Sequence, residues 1–402
     1  MQIVFVMFTV SILSIIFQFS LSFNPTNCGL SDVLMHESIR SETNTLKPLP
    51  DKLLVGYTTN KCQNLNDMSK VTRAVQEGLN VVIWAFHELA PEKEKLRVKG
   101  GPNLDNFERY KQKLVDMGYT DVVHVVSFGG WNGPHLPSGY TAKELFDRWK
   151  EWNVSTNSGD RLFDGIDWDL EGEDNVQGSK NLFTQECLEQ MGEFTELAKR
   201  DGYIVSMAPA ESYVDITSSK FSRNVNLTYP EHEDFTYHGW NVYAYILAKW
   251  GEHIDFIQVQ FYESYSHAAY QISQRGVTPS DFLVRYVDRL MSKGEGYQVN
   301  FEEDSSIQLK NQFVSVPLKK LVFGFANGWA DFTQGGTKTV FFPLTEVKSA
   351  YERLVPVERT PRGFMFWVIE EEGNGGIYLA SGLNGVLRVR SSDFSSSSSY
   401  SF

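Results

Sequence analysis

The chain has 402 residues, with 37 Lys and Arg against 50 Asp and Glu, for a formal net charge of −13. That balance argues against nucleic acid and anionic membrane surfaces as partners and leaves a neutral polysaccharide open. The length suits one large α/β barrel or two ordinary domains.

Residues Ile3 to Phe23 form an almost wholly apolar run followed by Asn24-Pro25. The run predicts a secretory signal peptide over 1–23, with Ser20 and Ser22 near the cut. No Lys or Arg precedes it and it is long enough to cross a bilayer, so an uncleaved anchor is the alternative. Either way the globular part is expected in a secretory lumen or outside the cell. Residues 24–51 read as a linker on the outside of the fold. Three cysteines, Cys28, Cys62 and Cys187, do not make a disulfide framework. Cys187 is expected as a buried inert thiol on a helix. A Cys28–Cys62 bridge stays open. Asn153-Val154-Ser155 and Asn226-Leu227-Thr228 are glycosylation sequons if the chain is secreted.

From Leu53 onward a strand, loop and helix pattern recurs. Strands are predicted at Leu53 to Tyr57, Val81 to Phe86, Val122 to Phe128, Phe163 to Gly172, Ile204 to Ala208, Ile254 to Tyr262, Leu321 to Ala326 and Gly363 to Ile369. Between them lie helical spacings: Met68, Val71, Val75; then Leu104 to Met117 with Asn103 as cap; then a helix opened by the capping box Thr141 and Glu144. Further helices are read at Asn181 to Lys199, Trp240 to Trp250, Phe282 to Met291 with Ser280 as cap, and Leu344 to Leu354. An insertion runs from Glu211 to about Tyr237. Gly373 to Gly385 reads as loop plus short strand, and Ser391 to Phe402 as a disordered Ser-rich tail. Repeated strand–helix units predict a closed parallel (β/α)8 TIM barrel over 52–390, with its chemistry at the carboxyl ends of the strands.

The stretch FDGIDWDLEG, Phe163 to Gly172, organises the rest. Alternate side chains of a strand share a face, so Asp167, Asp169 and Glu171 point one way and Ile166, Trp168 and Leu170 the other. Asp164 has the opposite parity and reads as structural. Close carboxylates cannot all ionise cheaply, so at least one is expected to keep its proton. A protonated carboxyl beside an ionised one is what acid-catalysed glycoside cleavage needs. Glu171, at the strand's end, is the general acid on this reading.

DGIDWDLE resembles the D-G-x-D-x-D-x-E signature of family 18 glycoside hydrolases, and Ser127-Phe128-Gly129-Gly130 resembles the family's S-x-G-G. The resemblance covers nearly all of Leu53 to Val389 and implies the same barrel. It implies that Glu171 is the catalytic acid and that Asp169 orients the substrate's own N-acetyl group for attack on the anomeric carbon, in a substrate-assisted reaction. Asp167 would hold Asp169 or tune its proton. Gln260 and Tyr262 match the family's Q-x-Y, where the Tyr hydroxyl contacts the acetamido carbonyl. Glu263 follows where the family often has Asn or Asp, so the acetamido contacts differ in detail. Gln258 reads as part of a buried hydrogen-bond layer.

Trp367 matches the Trp that floors the cleavage subsite. Tyr57, Phe86 and Met207 stand as further substrate-binding candidates, equally readable as core, and Trp131 as a sugar-stacking candidate. Gly129 and Gly130 allow a close backbone approach. His87-Glu88 and His232-Glu233 lack a second zinc His, and no Ser nucleophile elbow or phosphate loop is present. No metal and no cofactor are expected. About 36 residues separate strands seven and eight, too few for the α+β domain that some family members insert. An open cleft and endo-acting cleavage of chitin or N-acetylglucosamine oligosaccharides by a monomer are therefore expected. An endo-N-acetylglucosaminidase acting on N-glycans and a silent chitin-binding lectin are the alternatives.

Overall fold

Runs of branched apolar residues, bounded by turns, recur along the chain and close into a ring. The computed structural model describes residues 47–390 apart from 94, 156, 227–238, 265 and 331–339, all within the unit Leu46–Phe402. The strands are β1 (Leu53–Thr58), β2 (Val81–Glu92), β3 (Lys95–Gly100), β4 (Val123–Gly130), β5 (Gly165–Leu170), β6 (Ile204–Met207), β7 (Phe256–Gln260), β8 (Gly296–Val299), β9 (Gln312–Ser315), β10 (Leu321–Ala326) and β11 (Gly363–Trp367). β1 pairs with both β2 and β11, so the order β1-β2-β4-β5-β6-β7-β10-β11 closes on itself, parallel throughout. This is the expected (β/α)8 barrel.

Helices α1 (Ser69–Gln76), α2 (Leu104–Asp116), α3 (Ala142–Trp152), α4 (Gln185–Arg200), α5 (Ala244–Trp250), α6 (Pro279–Ser292), α7 (Leu344–Leu354) and α8 (Leu379–Leu387) follow the barrel strands in turn. Asn103 caps α2, and Thr141 with Glu144 forms the capping box of α3, both as expected.

Strand parity divides the core in two. Leu53, Val55, Val81, Ile83, Val123, Val125, Phe256, Val322 and Met365 fill the barrel interior. Leu54, Val82, Val126, Ile166, Trp168, Val205, Ile257 and Phe364 pack outward against the helices. Gly363 lets the ring close: a Cβ there would lie 1.9 Å from the Leu53 carbonyl oxygen.

Several expectations are corrected. β2 runs on to Glu92 and folds back on β3 as an antiparallel hairpin. A second hairpin, β8 with β9, lies outside the ring. Thr278, not Ser280, caps α6, because Pro279 already supplies the first helical φ and lacks the N–H that would need a partner. The glycine-rich end holds a helix rather than a strand. Leu379, Leu383 and Val386 recur at helical spacing and are buried, although Gly382 and Gly385 are poor helix formers. Asn153 is buried, with its amide paired to both backbone groups of Phe163 at 2.9 and 2.8 Å, so this sequon is closed to a glycan in the folded chain. Cys187 is the buried thiol expected, its pKa pushed up to about 12 by burial. Cys62 is also a free, buried thiol, and Cys28 lies outside the described residues. The signal peptide or anchor, most of the linker, Thr228 of the second sequon, much of the insertion and the Ser-rich tail lie outside them too. Among the described residues no helix is long and apolar enough to cross a membrane.

Candidate active site

β5 delivers three acids to the barrel interior because its parity puts Asp167, Asp169 and Glu171 on the inner face. All three are buried, at 0%, 3% and 5% exposure. They differ in what the neighbouring strands offer them.

Asp167 lies deepest and accepts four hydrogen bonds. Tyr57 of β1 and Ser127 of β4 donate to Oδ2 at 2.6 and 2.7 Å, and Ser206 of β6 and Gln258 of β7 to Oδ1 at 2.6 and 3.0 Å. Burial raises its pKa while the four donors oppose that rise. Gln258 is thus the buried polar layer expected, and Ser127 gives its motif a role. Asp167 does not grip Asp169 directly: its oxygens are taken by other donors, and it acts on Asp169 through charge.

Asp169 has one neutral donor, Gln260 Nε2, at 2.8 Å. That amide is itself fixed on the Ala208 carbonyl at 2.6 Å. The Asp169 carboxyl hydrogen-bonds that of Glu171, and burial, then the charges of Glu171, Asp167 and Glu263, hold its pKa well above the usual range. Asp169 and Glu171 therefore share a proton, as three aligned acids require.

Three side chains clamp the backbone that carries Glu171. Tyr243 donates its hydroxyl to the Leu170 carbonyl at 2.9 Å, the His135 ring meets the Glu171 carbonyl at 2.8 Å, and the Gly172 N–H donates to the Tyr213 hydroxyl at 3.1 Å. Gly129, at φ +110°, lies against the Asp169 carbonyl, where a Cβ would come within 2.4 Å. It lets β4 approach the site.

Aromatic rings complete the carboxyl end of the barrel. Trp367, at the end of β11 and across the ring from β5, is half-buried. Phe86 stacks on it at 5.5 Å and 19°, and Tyr57 leans on it at 5.6 Å and 55°. Tyr262 follows β7 on the face of Gln260, with burial raising its phenol pKa well above normal. Trp131 lies half-buried beside Gly172, its indole N–H donated to Asp174 at 2.8 Å.

Two candidates take up core positions, one of the alternatives read from the sequence. Met207 has outward parity and packs in the layer between barrel and helices, because Ile204, Ser206 and Ala208 take the inward positions of that strand. Tyr57 is 1% exposed with its hydroxyl on Asp167, so it supports the floor rather than meeting a ligand. Asp164 accepts from the His124 N–H at 2.7 Å and fixes the strand entry, as its parity indicated. Sequence reasoning missed Ser206, Tyr213, Tyr243 and His135. Ser206 was within reach, being a small polar residue at an inward position. The others sit in loops and an irregular turn whose approach to β5 has no periodic signal.

The sequence matches the family model "Glycosyl hydrolases family 18" over residues 53–350. No curated protein sequence matches the chain significantly. Among solved structures, a fungal endo-beta-N-acetylglucosaminidase from glycosyl hydrolase family 18 is 16% identical, with a TM-score of 0.53 over 85% of this chain and 99% of its own. The C-terminal domain of Legionella pneumophila ChiA is also 16% identical, with a TM-score of 0.52 over 83% of this chain and 97% of its own. At that identity these two likenesses speak to the fold alone.

Proposed function

The chain belongs to family 18 of the glycosyl hydrolases, and we propose that it is a retaining, endo-acting hydrolase of β-1,4-linked N-acetylglucosamine polymers. The observation that carries this reading is the pair of buried acids at the end of β5, Asp169 hydrogen-bonded to Glu171 and favoured in its protonated form by burial and neighbouring charge, at the same end of the barrel as the partly exposed Trp367.

On this reading Glu171 protonates the leaving glycosidic oxygen. The substrate's acetamido oxygen, rather than an enzyme nucleophile, attacks the anomeric carbon, and Asp169 orients that acetamide from beneath. Once Glu171 has given the shared proton to the leaving oxygen, Asp169 is left as a carboxylate that accepts from the acetamide N–H, where a positive charge develops. Tyr262 and Gln260 border the acetamide, and Trp367 carries the sugar's C–H face. Water then opens the ring intermediate with Glu171 as base. A chitin chain and the chitobiose core of an N-glycan present the same β-1,4-linked N-acetylglucosamine pair at the scissile bond and differ only in what flanks it. The short connection between β10 and β11 supports an open cleft and internal cleavage. The apolar run at 3–23 supports secretion.

The test is mass spectrometry of products from soluble chitin hexamer, with Glu171→Gln as control. Dimers, trimers and tetramers that vanish in the variant support the reading. An intact hexamer with a cut N-glycan moves the substrate to glycoproteins. Binding of both without cleavage by the native chain makes it a lectin.

A further inference from the structure

Among the described residues only two aromatic side chains are exposed, Phe313 on the outer hairpin and Trp329. Trp329 is 37% exposed and sits just beyond the carboxyl end of β10, on the side of the barrel where the acids lie. Its ring meets Tyr262 edge-on at 6.2 Å and 80°. Its indole N–H donates to the Trp367 carbonyl at 3.3 Å.

The mount is rigid. Trp329 lies in the turn Gly328–Ala330, closed by the Ala330 N–H on the Asn327 carbonyl at 3.0 Å. Asn327 is fully buried. Its N–H also donates to the Trp367 carbonyl at 3.0 Å, and its side-chain amide donates to Glu372 at 3.0 Å. Glu372 in turn accepts from the Leu379 and Ala380 N–H groups at the start of α8. One carbonyl, that of Trp367, therefore ties Trp329 to the floor of the site. The indole's one polar atom is used in that tie, so what Trp329 offers outward is apolar ring. Its partly exposed ring therefore stands beside Tyr262 and Trp367 with its apolar face free to meet a ligand.

We propose that Trp329 is a sugar-stacking wall of the cleft, taking the C–H face of a sugar ring next to the one on Trp367. This rests on the hydrolase reading above and deepens it: the substrate must present two or more contiguous pyranose rings. Trp367 stays partly exposed although Phe86 and Tyr57 pack against it, so floor and wall together select a chain rather than a single sugar.

The experiment measures binding of N-acetylglucosamine oligomers, dimer to hexamer, to the full chain carrying Glu171→Gln, by titration calorimetry and by quenching of tryptophan fluorescence. Adding Trp329→Ala is expected to weaken the longer oligomers about tenfold and to erase the affinity gain at one step of the length series. Trp329→Phe keeps a flat ring and restores most of the loss. Trp329→Leu keeps apolar area without a flat face and does not. Equal affinities across all four proteins overturn the proposal, as does rescue by Leu equal to that by Phe. If Glu171→Gln alone binds no oligomer, the hydrolase reading of the site fails first, and that result is separate from any effect at Trp329.

Discussion

Ser206→Ala removes one of the four hydrogen bonds to Asp167 and little else. The hydroxyl and the carboxylate are both fully buried and 2.6 Å apart, so no solvent stands ready to replace the lost donor. A hydrogen bond to a charged group contributes about 1.5–3 kcal/mol. For a barrel of this size that corresponds to a fall in Tm of about 2–4 °C. The sign follows from linkage. The donor favours the ionised Asp167, so its loss raises further a pKa that burial has already raised. The destabilisation should be largest at alkaline pH, where the folded chain holds Asp167 charged, and should shrink as pH falls through the raised folded value. A second readout separates charge from packing. Asp167's charge is one of the forces that keep the proton on Asp169. With Asp167 more easily neutralised, Asp169 and Glu171 lose their shared proton at lower pH. The alkaline limb of the kcat profile should then move toward acid. Calorimetric melts from pH 4 to 9 and a pH–rate profile check both. A lower Tm with an unmoved alkaline limb would refute the charge coupling assigned to Asp167, and an unchanged Tm would refute the hydrogen-bond layer itself.

Glu171→Gln should lower kcat about 10²–10⁴-fold while oligosaccharide binding persists; comparable turnover in the variant would remove Glu171 from the chemistry. Asp169→Asn should abolish most activity yet raise Tm relative to the native chain by an amount that grows with pH. The native Asp169 has a raised folded pKa, so the stability it contributes at low pH is lost as pH rises through that value, and Asn has no such loss. A Tm difference independent of pH would contradict this. Tyr213→Phe leaves the Gly172 N–H buried without its acceptor, at about 1–3 kcal/mol by urea unfolding, and should lower kcat more than it raises KM. His87 is buried among Phe128, Trp152 and Phe163, and burial pushes its pKa down to about 4 from 6.5. The unfolded chain therefore takes up a proton first, and stability should fall by about 3 kcal/mol as pH drops from 6.5 to 4. His87→Leu should flatten that slope in acid titrations followed by circular dichroism, and an unchanged slope would contradict the assignment.

What could be read from the sequence was periodic. The two-residue repeat through Asp167, Asp169 and Glu171 fixed their common face, and the same parity placed Gln258 and Gln260 inside. Applied strictly it would also have turned Met207 outward and drawn Ser206 inward, because both follow from Ile204 by counting. The hairpin of β2 and β3 was hidden because Val81–Glu92 continues without a break past the point where a barrel strand usually ends. The clamp on β5 was beyond reach for a different reason. Tyr213, Tyr243 and His135 come from three separate connections, and only the closed ring brings them to one strand end. Trp329 lies in a turn, where neither period applies.

The three acids of β5 are alike in chemistry and nearly alike in burial, so their division of labour must come from their partners. Asp167 meets four donors from four strands, each set by barrel register: Ser127 lies level with Asp167 on one side and Ser206 on the other. Asp169, one step nearer the opening, lies level with Gly129, which has no side chain to donate. It receives one amide and must otherwise turn to Glu171. A Ser in place of Gly129 would supply a second donor, but φ +110° and the Asp169 carbonyl at 2.4 Å leave no room for it. The glycine of the S-x-G-G motif thus does more than bend the chain. By withholding a hydrogen-bond donor at one level of the barrel, it leaves a buried carboxyl that can be satisfied only by keeping a proton and sharing it with its neighbour.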